Sequence, residues 1–198
     1  ERTDTWAALY TMAELPDGNI LIGGSFSNVG GIPKSNLAKI SVTGEVNTQF
    51  TPNPSGTVSC AVVQPDGKIL IGGSFPKYFT RLTTEGYADP IFYSLLSLDD
   101  AVTSIALQTD GKIVIGGMFT TIKSNQQAGR IARLQPNGNH DPGFVANSNR
   151  RVYVVVVAGD GSIYAGGQFT QINDTPIRMV ARMKNDPANE SIEVASGD

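Results

Sequence analysis

Four times along the chain an apolar-rich run stops at Asp-Gly, a second apolar run follows at once, and that run closes on Gly-Gly-x-Phe. The copies read PDGNILIGGSF (Pro16 to Phe26), PDGKILIGGSF (Pro65 to Phe75), TDGKIVIGGMF (Thr109 to Phe119) and GDGSIYAGGQF (Gly159 to Phe169). Ahead of each Asp-Gly stands WAALYTMAELP, TVSCAVVQP, AVTSIALQT or VYVVVVAG. These runs are rich in β-branched and aromatic residues and show no 3.6-residue period, so they predict strands rather than helices. Two β runs joined by x-Asp-Gly-x predict a hairpin with a type I′ turn, which needs two central residues that tolerate positive φ. Asp17–Gly18, Asp66–Gly67, Asp110–Gly111 and Asp160–Gly161 are the expected tips.

A third β run follows a variable loop in every copy: NLAKISV (Asn36 to Val42), YFTRLTT (Tyr78 to Thr84), GRIARLQ (Gly129 to Gln135) and MVARMKN (Met179 to Asn185). A short fourth element ends on Phe50, Phe92 or Phe144, and is degenerate in the last copy, where Ser191 to Val194 is a weak outer-strand candidate. The glycine pairs Gly23–Gly24, Gly72–Gly73, Gly116–Gly117 and Gly166–Gly167 mark the period, at intervals of 49, 44 and 50 residues. Three or four antiparallel strands in a unit of that length predict the blade of a β-propeller. The fold expected is all-β, a four-blade propeller or propeller arc forming one repeat domain over residues 1–198, with repeats at about 5–54, 55–98, 99–148 and 149–198. The paired glycines are expected to admit close backbone or ring approach between blades, with the recurrent phenylalanines filling the inter-blade layer.

DGKILIGGSF and RIARLQPNGNHDPGF together resemble the delta-sixty repeat, a bacterial and phage-associated β-propeller family, and the resemblance covers nearly the whole chain. It departs from the pattern at Asn47–Thr48, where Asp-Pro is expected, in the short second loop PKYFTRL, and in the missing terminal Phe of the last copy. The resemblance implies an extracellular or virion setting and supplies no catalytic residues.

Composition narrows the function classes. Fifteen Lys and Arg against 18 Asp and Glu give a net charge of −3, which offers nucleic acid no global basic surface. The apolar run Val152 to Ala158 is far short of a membrane span. One cysteine, Cys60, excludes an intrachain disulfide and reads as a buried small hydrophobe. The opening ERTDTWAALY has neither an initiator Met nor a signal peptide, and suggests a processed chain or a piece of a longer one.

Candidate chemistry is sparse. His140 is the only histidine and lies in a repeated turn, so no histidine cluster can hold a metal and a catalytic triad has little to draw on. Asp99–Asp100 reads as a solvated loop, and the Asp-Gly tips supply one carboxylate each, too few for calcium. Asn173–Thr175 and Asn189–Ser191 match the glycosylation sequon. One cationic slot recurs in the third strand: Lys39, Arg81, Arg133 and Arg182. In a cyclic fold it forms either a set of packed stems with paired heads or a binding ring for phosphate or acidic sugar. The function expected is non-enzymatic, a structural and interaction module of a larger assembly, without cofactor or metal. Its partners would be other subunits or further repeats of the parent protein. The alternative is a glycan-binding propeller, against which counts the lack of repeated loop aromatics: the slot of Trp6 is read as Val58, Val102 and Val152 in later copies.

Overall fold

Alternation of apolar residues builds four successive antiparallel sheets from the four copies. The computed structural model describes residues 7–95, 97–122, 126–183 and 194–195. The first sheet runs β1 (Ala8–Glu14), β2 (Ile20–Ser25) and β5 (Leu37–Ile40), with the ribbon β3 (Asn28–Val29) and β4 (Ile32–Pro33) in the loop between the last two. The second comprises β6 (Thr57–Val63), β7 (Ile69–Ser74) and β8 (Phe79–Leu82), followed by the short helix α1 (Pro90–Leu95). The third holds β9 (Val102–Leu107), β10 (Ile113–Gly117) and β13 (Ile131–Leu134), with the ribbon β11 (Thr121–Ile122) and β12 (Gln126–Gln127). The fourth holds β14 (Val152–Val157), β15 (Ile163–Gly167), β18 (Val180–Met183) and β19 (Val194–Ala195), with the ribbon β16 (Gln171–Ile172) and β17 (Thr175–Pro176).

The Asp-Gly tips are hairpins, but not of the type I′ kind. Only the glycine of each pair has positive φ, between 79° and 82°. The Gly18 amide donates to the Leu15 carbonyl and the Leu15 amide to the Asn19 carbonyl, and the other three tips repeat this pattern. That is a type I turn closed by a glycine bulge, in which Asp adopts ordinary right-handed geometry. Its carboxylate instead accepts the amide two residues on, as Asp66 does from Lys68 at 3.1 Å.

Each sheet packs its face on the next in chain order, β1 and β2 on β6, β6 and β7 on β9, β9 and β10 on β14. Among the described residues the fourth sheet has no comparable contact with the first. Every sheet therefore has a leading face, toward the previous sheet, and a trailing face, toward the next. Leu21 and Leu37 on the first trailing face meet Val58, Ile69 and Ile71 on the second leading face. Leu70 and Phe79 meet Val102, Ile113 and Ile115 at the second joint, and Val114 and Ile131 meet Val152, Val155 and Ile163 at the third. Burial of each such side chain stabilises by about 1.5–3 kcal/mol, so the joints carry much of the stability.

The fourth element is smaller than the sequence suggests. It is one isolated bridge in the first three copies, Ile40 to Val46, Leu82 to Ala88 and Leu134 to His140, and in the second copy α1 follows it. Pro90 opens α1 and the Asp89 carboxylate accepts the Ile91 and Phe92 amides, an N-cap arrangement that strand reasoning did not anticipate. In the last copy the outer strand is β19, and residues 191–193 of the expected one lie outside the described residues.

Candidate functional site

The two glycines of each pair face different neighbours. A Cβ on Gly73 would stand 2.0 Å from the Thr57 carbonyl oxygen, and one on Gly24, Gly117 or Gly167 would meet the same strand-start backbone at 2.0–2.3 Å. A bulge in the first strand, where the register shifts between Val58 and Cys60, brings that backbone in. The first glycines, Gly23, Gly72 and Gly116, are seats for valines of the next sheet, with Val58, Val102 and Val152 within 2.7–2.9 Å of an added Cβ. Gly166 meets no residue of a following sheet among those described. On the pairs themselves one ring comes close, Phe119 of the same copy at 3.1 Å from a Cβ on Gly117; Phe50 lies instead against Gly86 and Phe92 against Gly138, the positive-φ glycines of the following copy's second turn.

The residue opposite the second glycine in the first sheet is Leu9, equivalent to Val58, Val102 and Val152. Trp6 precedes that slot by three residues and lies outside the described residues, so the equivalence read from sequence is corrected.

The recurrent cations pair within their own sheets. Arg81 Nε donates to Asp89 at 3.1 Å and Arg133 Nε to Asp141 at 2.8 Å, both buried pairs formed with the Asp-Pro motif. Arg81 also donates to the Pro136 carbonyl of the next copy at 2.9 Å, and its guanidinium lies 4.4 Å from the Phe92 ring centroid. Repeat one has Asn47 in place of the motif acid, and Lys39 pairs with the hairpin carboxylate Asp17. Arg182 pairs with Asp160 at 2.9 Å, and Asp186 of its own motif lies outside the described residues. The Lys39 ammonium holds the Asp17 carboxyl down at about 2. Around Asp89, burial pushes upward but the Phe92 amide and Arg81 outweigh it, leaving the group below the usual carboxylate range.

The remaining candidates are tied into the backbone. Asp99 accepts hydrogen bonds from the Thr120 amide and hydroxyl and the Thr121 amide at 2.6–2.9 Å. These outweigh its partial burial and keep its carboxyl below the usual range. Asn149 makes the equivalent clamp on Thr170. Asp100 accepts the Ala101 amide. His140 borders a shallow hollow of about 280 Å³ with Pro142 and Phe144. The Asn173 side chain accepts the Asn147 amide and donates to the Val145 carbonyl, while Asn189 lies outside the described residues. Burial pushes the Cys60 thiol up to about 12, leaving it an inert thiol.

Two features escaped the sequence. Lys34 is buried and donates to the Phe50 carbonyl, and desolvation lowers its pKa. Asn36, Tyr78, Arg130 and Met179 all have φ of 61–68° immediately before the third strand. Their carbonyls accept the amide of the second paired glycine in every copy. Only Asn36 announces such a backbone, because the other three side chains seldom adopt it.

The end faces differ from the inner joints. Val58, Val102 and Val152 are fully buried, whereas Leu9 is 55% and Met12 65% exposed. On the fourth trailing face Val154, Val156 and Val180 are exposed, where the third sheet has Ser104, Ala106 and the buried Ile131. Among the described residues, no helix is long and apolar enough to cross a membrane.

The sequence pattern of a β-propeller domain of unknown function, DUF5122, matches residues 15–50, 64–92 and 108–144. No curated protein matches the chain. Among solved structures it is similar to virginiamycin B lyase from Staphylococcus aureus, at 15% identity and a TM-score of 0.61, over 95% of this chain and 55% of that one. It is also similar to the WD40 repeats of RRP9, at 13% identity and a TM-score of 0.63, over 98% of this chain and 52% of that one. A third likeness is the extracellular domain of the hybrid two-component system BT4673 from B. thetaiotaomicron, at 16% identity and a TM-score of 0.54, over 95% and 21%. The chain thus spans about half the length of the first two and a fifth of the third. At these identities the likeness is one of fold. With sheets, joints and repeats arranged as described and just over half of its residues matched, the chain belongs to the DUF5122 β-propeller family.

Proposed function

We propose that the chain is a non-enzymatic structural and interaction segment of a propeller, working within a larger extracellular or virion assembly through the open faces of its first and fourth sheets. The observation that carries this reading is the contrast between Leu9 and Met12, exposed on the first leading face, and their buried equivalents Val58 and Ala61. Proteins seldom leave contiguous apolar surface of this kind uncovered, and such patches mark interaction sites. The extracellular setting draws support from the BT4673 likeness and from the delta-sixty resemblance.

Dye binding tests the reading. The folded chain is expected to bind a hydrophobic fluorophore such as ANS, and the variant Met12→Glu/Val156→Glu to lose most of that signal with its melting temperature unchanged. A folded chain that binds no dye would overturn the reading. The likeness to a lyase supplies a second test, incubation with virginiamycin B. Intact compound is expected, and turnover would return an enzyme to first place.

A second reading, glycan attachment, has one observation in its favour. Tyr10 and Tyr153 occupy the same bulge position in the first and fourth sheets, and both are exposed, as sugar-stacking rings are. Glycan-array binding that disappears in Tyr10→Ala/Tyr153→Ala would support it.

A further inference from the structure

The second turn of each copy carries a glycine with φ near +90°: Gly44, Gly86 and Gly138. Gly86 is buried under Phe50 and Gly138 under Phe92, each ring within 2.8 Å of where a Cβ would stand. Gly44 makes the same turn, the Ser41 carbonyl accepting its amide, yet it is exposed and has nothing described within 4 Å. The seat is built, and no described residue fills it. It lies on the same leading face as Leu9 and Met12, as Gly86 lies on the face of Val58 and Ala61, which share a cluster with Phe50.

Each seated ring also has a fixed source. Phe50 leaves the first copy and precedes Val58 by eight residues, on the stretch that leads into the first strand of the sheet carrying its seat. Phe92, the ring seated on Gly138, precedes Val102 by ten residues, and Phe144 precedes Val152 by eight. The last copy of this chain has no aromatic residue after Phe169, so a second copy docking by its fourth sheet has no ring to offer Gly44.

We infer that the Gly44 seat, with Leu9 and Met12, is the docking site for a preceding propeller repeat in the same polypeptide, one that ends in an aromatic residue and delivers that ring onto Gly44. This rests on the docking reading above and names the partner of one of its two faces. The other elements of an inner joint have their places. Thr11 Oγ1 accepts the Ala61 amide and Ser104 Oγ the Val155 amide across the first and third joints. Met12 is the residue of the first strand that corresponds to Ala61 and Val155, so a hydroxyl on the arriving repeat would meet its amide. A phenylalanine at the seat excludes water from the rim while valine-sized contacts fill the centre, which is how the first two internal joints are made.

The test uses Leu9→Cys as a reporter, with the parent chain, whose one thiol is the half-buried Cys60, giving the background rate. In the chain alone the new thiol should react with a disulfide reagent at the rate of an exposed cysteine, independent of protein concentration. A copy of residues 99–150 is then joined ahead of Ala8, which places the copied Phe eight residues before position 9. This is expected to slow the reaction at least ten-fold. Replacing the copied Phe by Ala, or Gly44 by Asn, should restore most of the rate. Asn tolerates the positive φ while its side chain fills the seat. Should the longer graft not fold, residues 136–150 alone carry the ring and should slow the reaction two- to three-fold. A folded graft with undiminished reactivity, or slowing that survives both substitutions, overturns the inference. So does protection of the ungrafted chain that grows with concentration, which would assign the face to a second copy and leave the docking reading intact. Failure of that reading shows separately, as absent dye binding.

Discussion

Gly73→Ala tests the account of the paired glycines most sharply. The added methyl carbon would stand 2.0 Å from the Thr57 carbonyl oxygen and 2.9 Å from the Ser59 amide nitrogen. Close carbon–oxygen contacts in proteins settle near 3.3 Å, so about 1.3 Å of separation has to be found. All of the nearest atoms are backbone, and no side chain can swing aside. The bulge between Val58 and Cys60 must open, and Val58 must leave its seat on Gly23. Overpacking commonly costs about 1–3 kcal/mol, and with no flexible neighbour the upper end, about 3 kcal/mol, is expected. For a chain of this size that is a fall of roughly 6–12 °C in melting temperature. Differential scanning calorimetry measures it, with agreement of calorimetric and van't Hoff enthalpies checked because the sheets could unfold separately. Gly159→Ala is the control. It has no described residue within 4 Å and no positive φ, so it should melt within about 2 °C of the parent or slightly above it. If Gly73→Ala also melts within 2 °C, the close approach is not a constraint and the reasoning fails.

Other expectations follow from the buried polar groups. Arg133→Leu leaves the buried Asp141 carboxylate with Lys112 at 3.9 Å as its remaining cation and should cost about 3 kcal/mol in urea denaturation, much of it recovered in Arg133→Leu/Asp141→Leu. Asp99→Ala, which loses three hydrogen bonds, should cost about 1–3 kcal/mol and speed hydrogen exchange at Thr120 and Thr121. Asp99→Asn should retain most of the protection, since Asn149 makes the equivalent clamp. Asp17, Asp89 and Asp99 all have folded-state pKa values below their unfolded ones. The unfolded chain therefore takes up protons first, and stability should be full above about pH 4 and fall as pH drops toward 2. A melting temperature flat across that range would contradict the hydrogen-bond assignments.

Local chemistry was legible in the residues alone. Asp-Gly between two β runs specifies a reversal, alternation specifies strands, and a period near 48 residues specifies a row of equal sheets, because each of these depends on neighbours in the chain. The exact turn did not follow, since Asp-Gly suits both a type I′ turn and a type I turn with a glycine bulge, and the twist of the joined strands selects between them. Nor did the positive φ at Tyr78, Arg130 and Met179, which the second paired glycine imposes from another strand. Identical motifs hid the division of labour within each glycine pair, one seating the next sheet's valine and the other admitting its own bulge. The phenylalanines were legible as inter-sheet packing, but not their seats on Gly86 and Gly138, some 36 to 46 residues further along the chain. Tertiary structure alone also decided which cations pair with which acids, because the same slot finds Asp89 or Asp141 in the two middle copies and the hairpin acids Asp17 or Asp160 in the outer two. Above all, a repeat pattern is the same in the middle of a row and at its ends. Exposure at Leu9, Met12 and Gly44 arises from what lies across a joint, and that is a property of the assembled sheets and of no single copy.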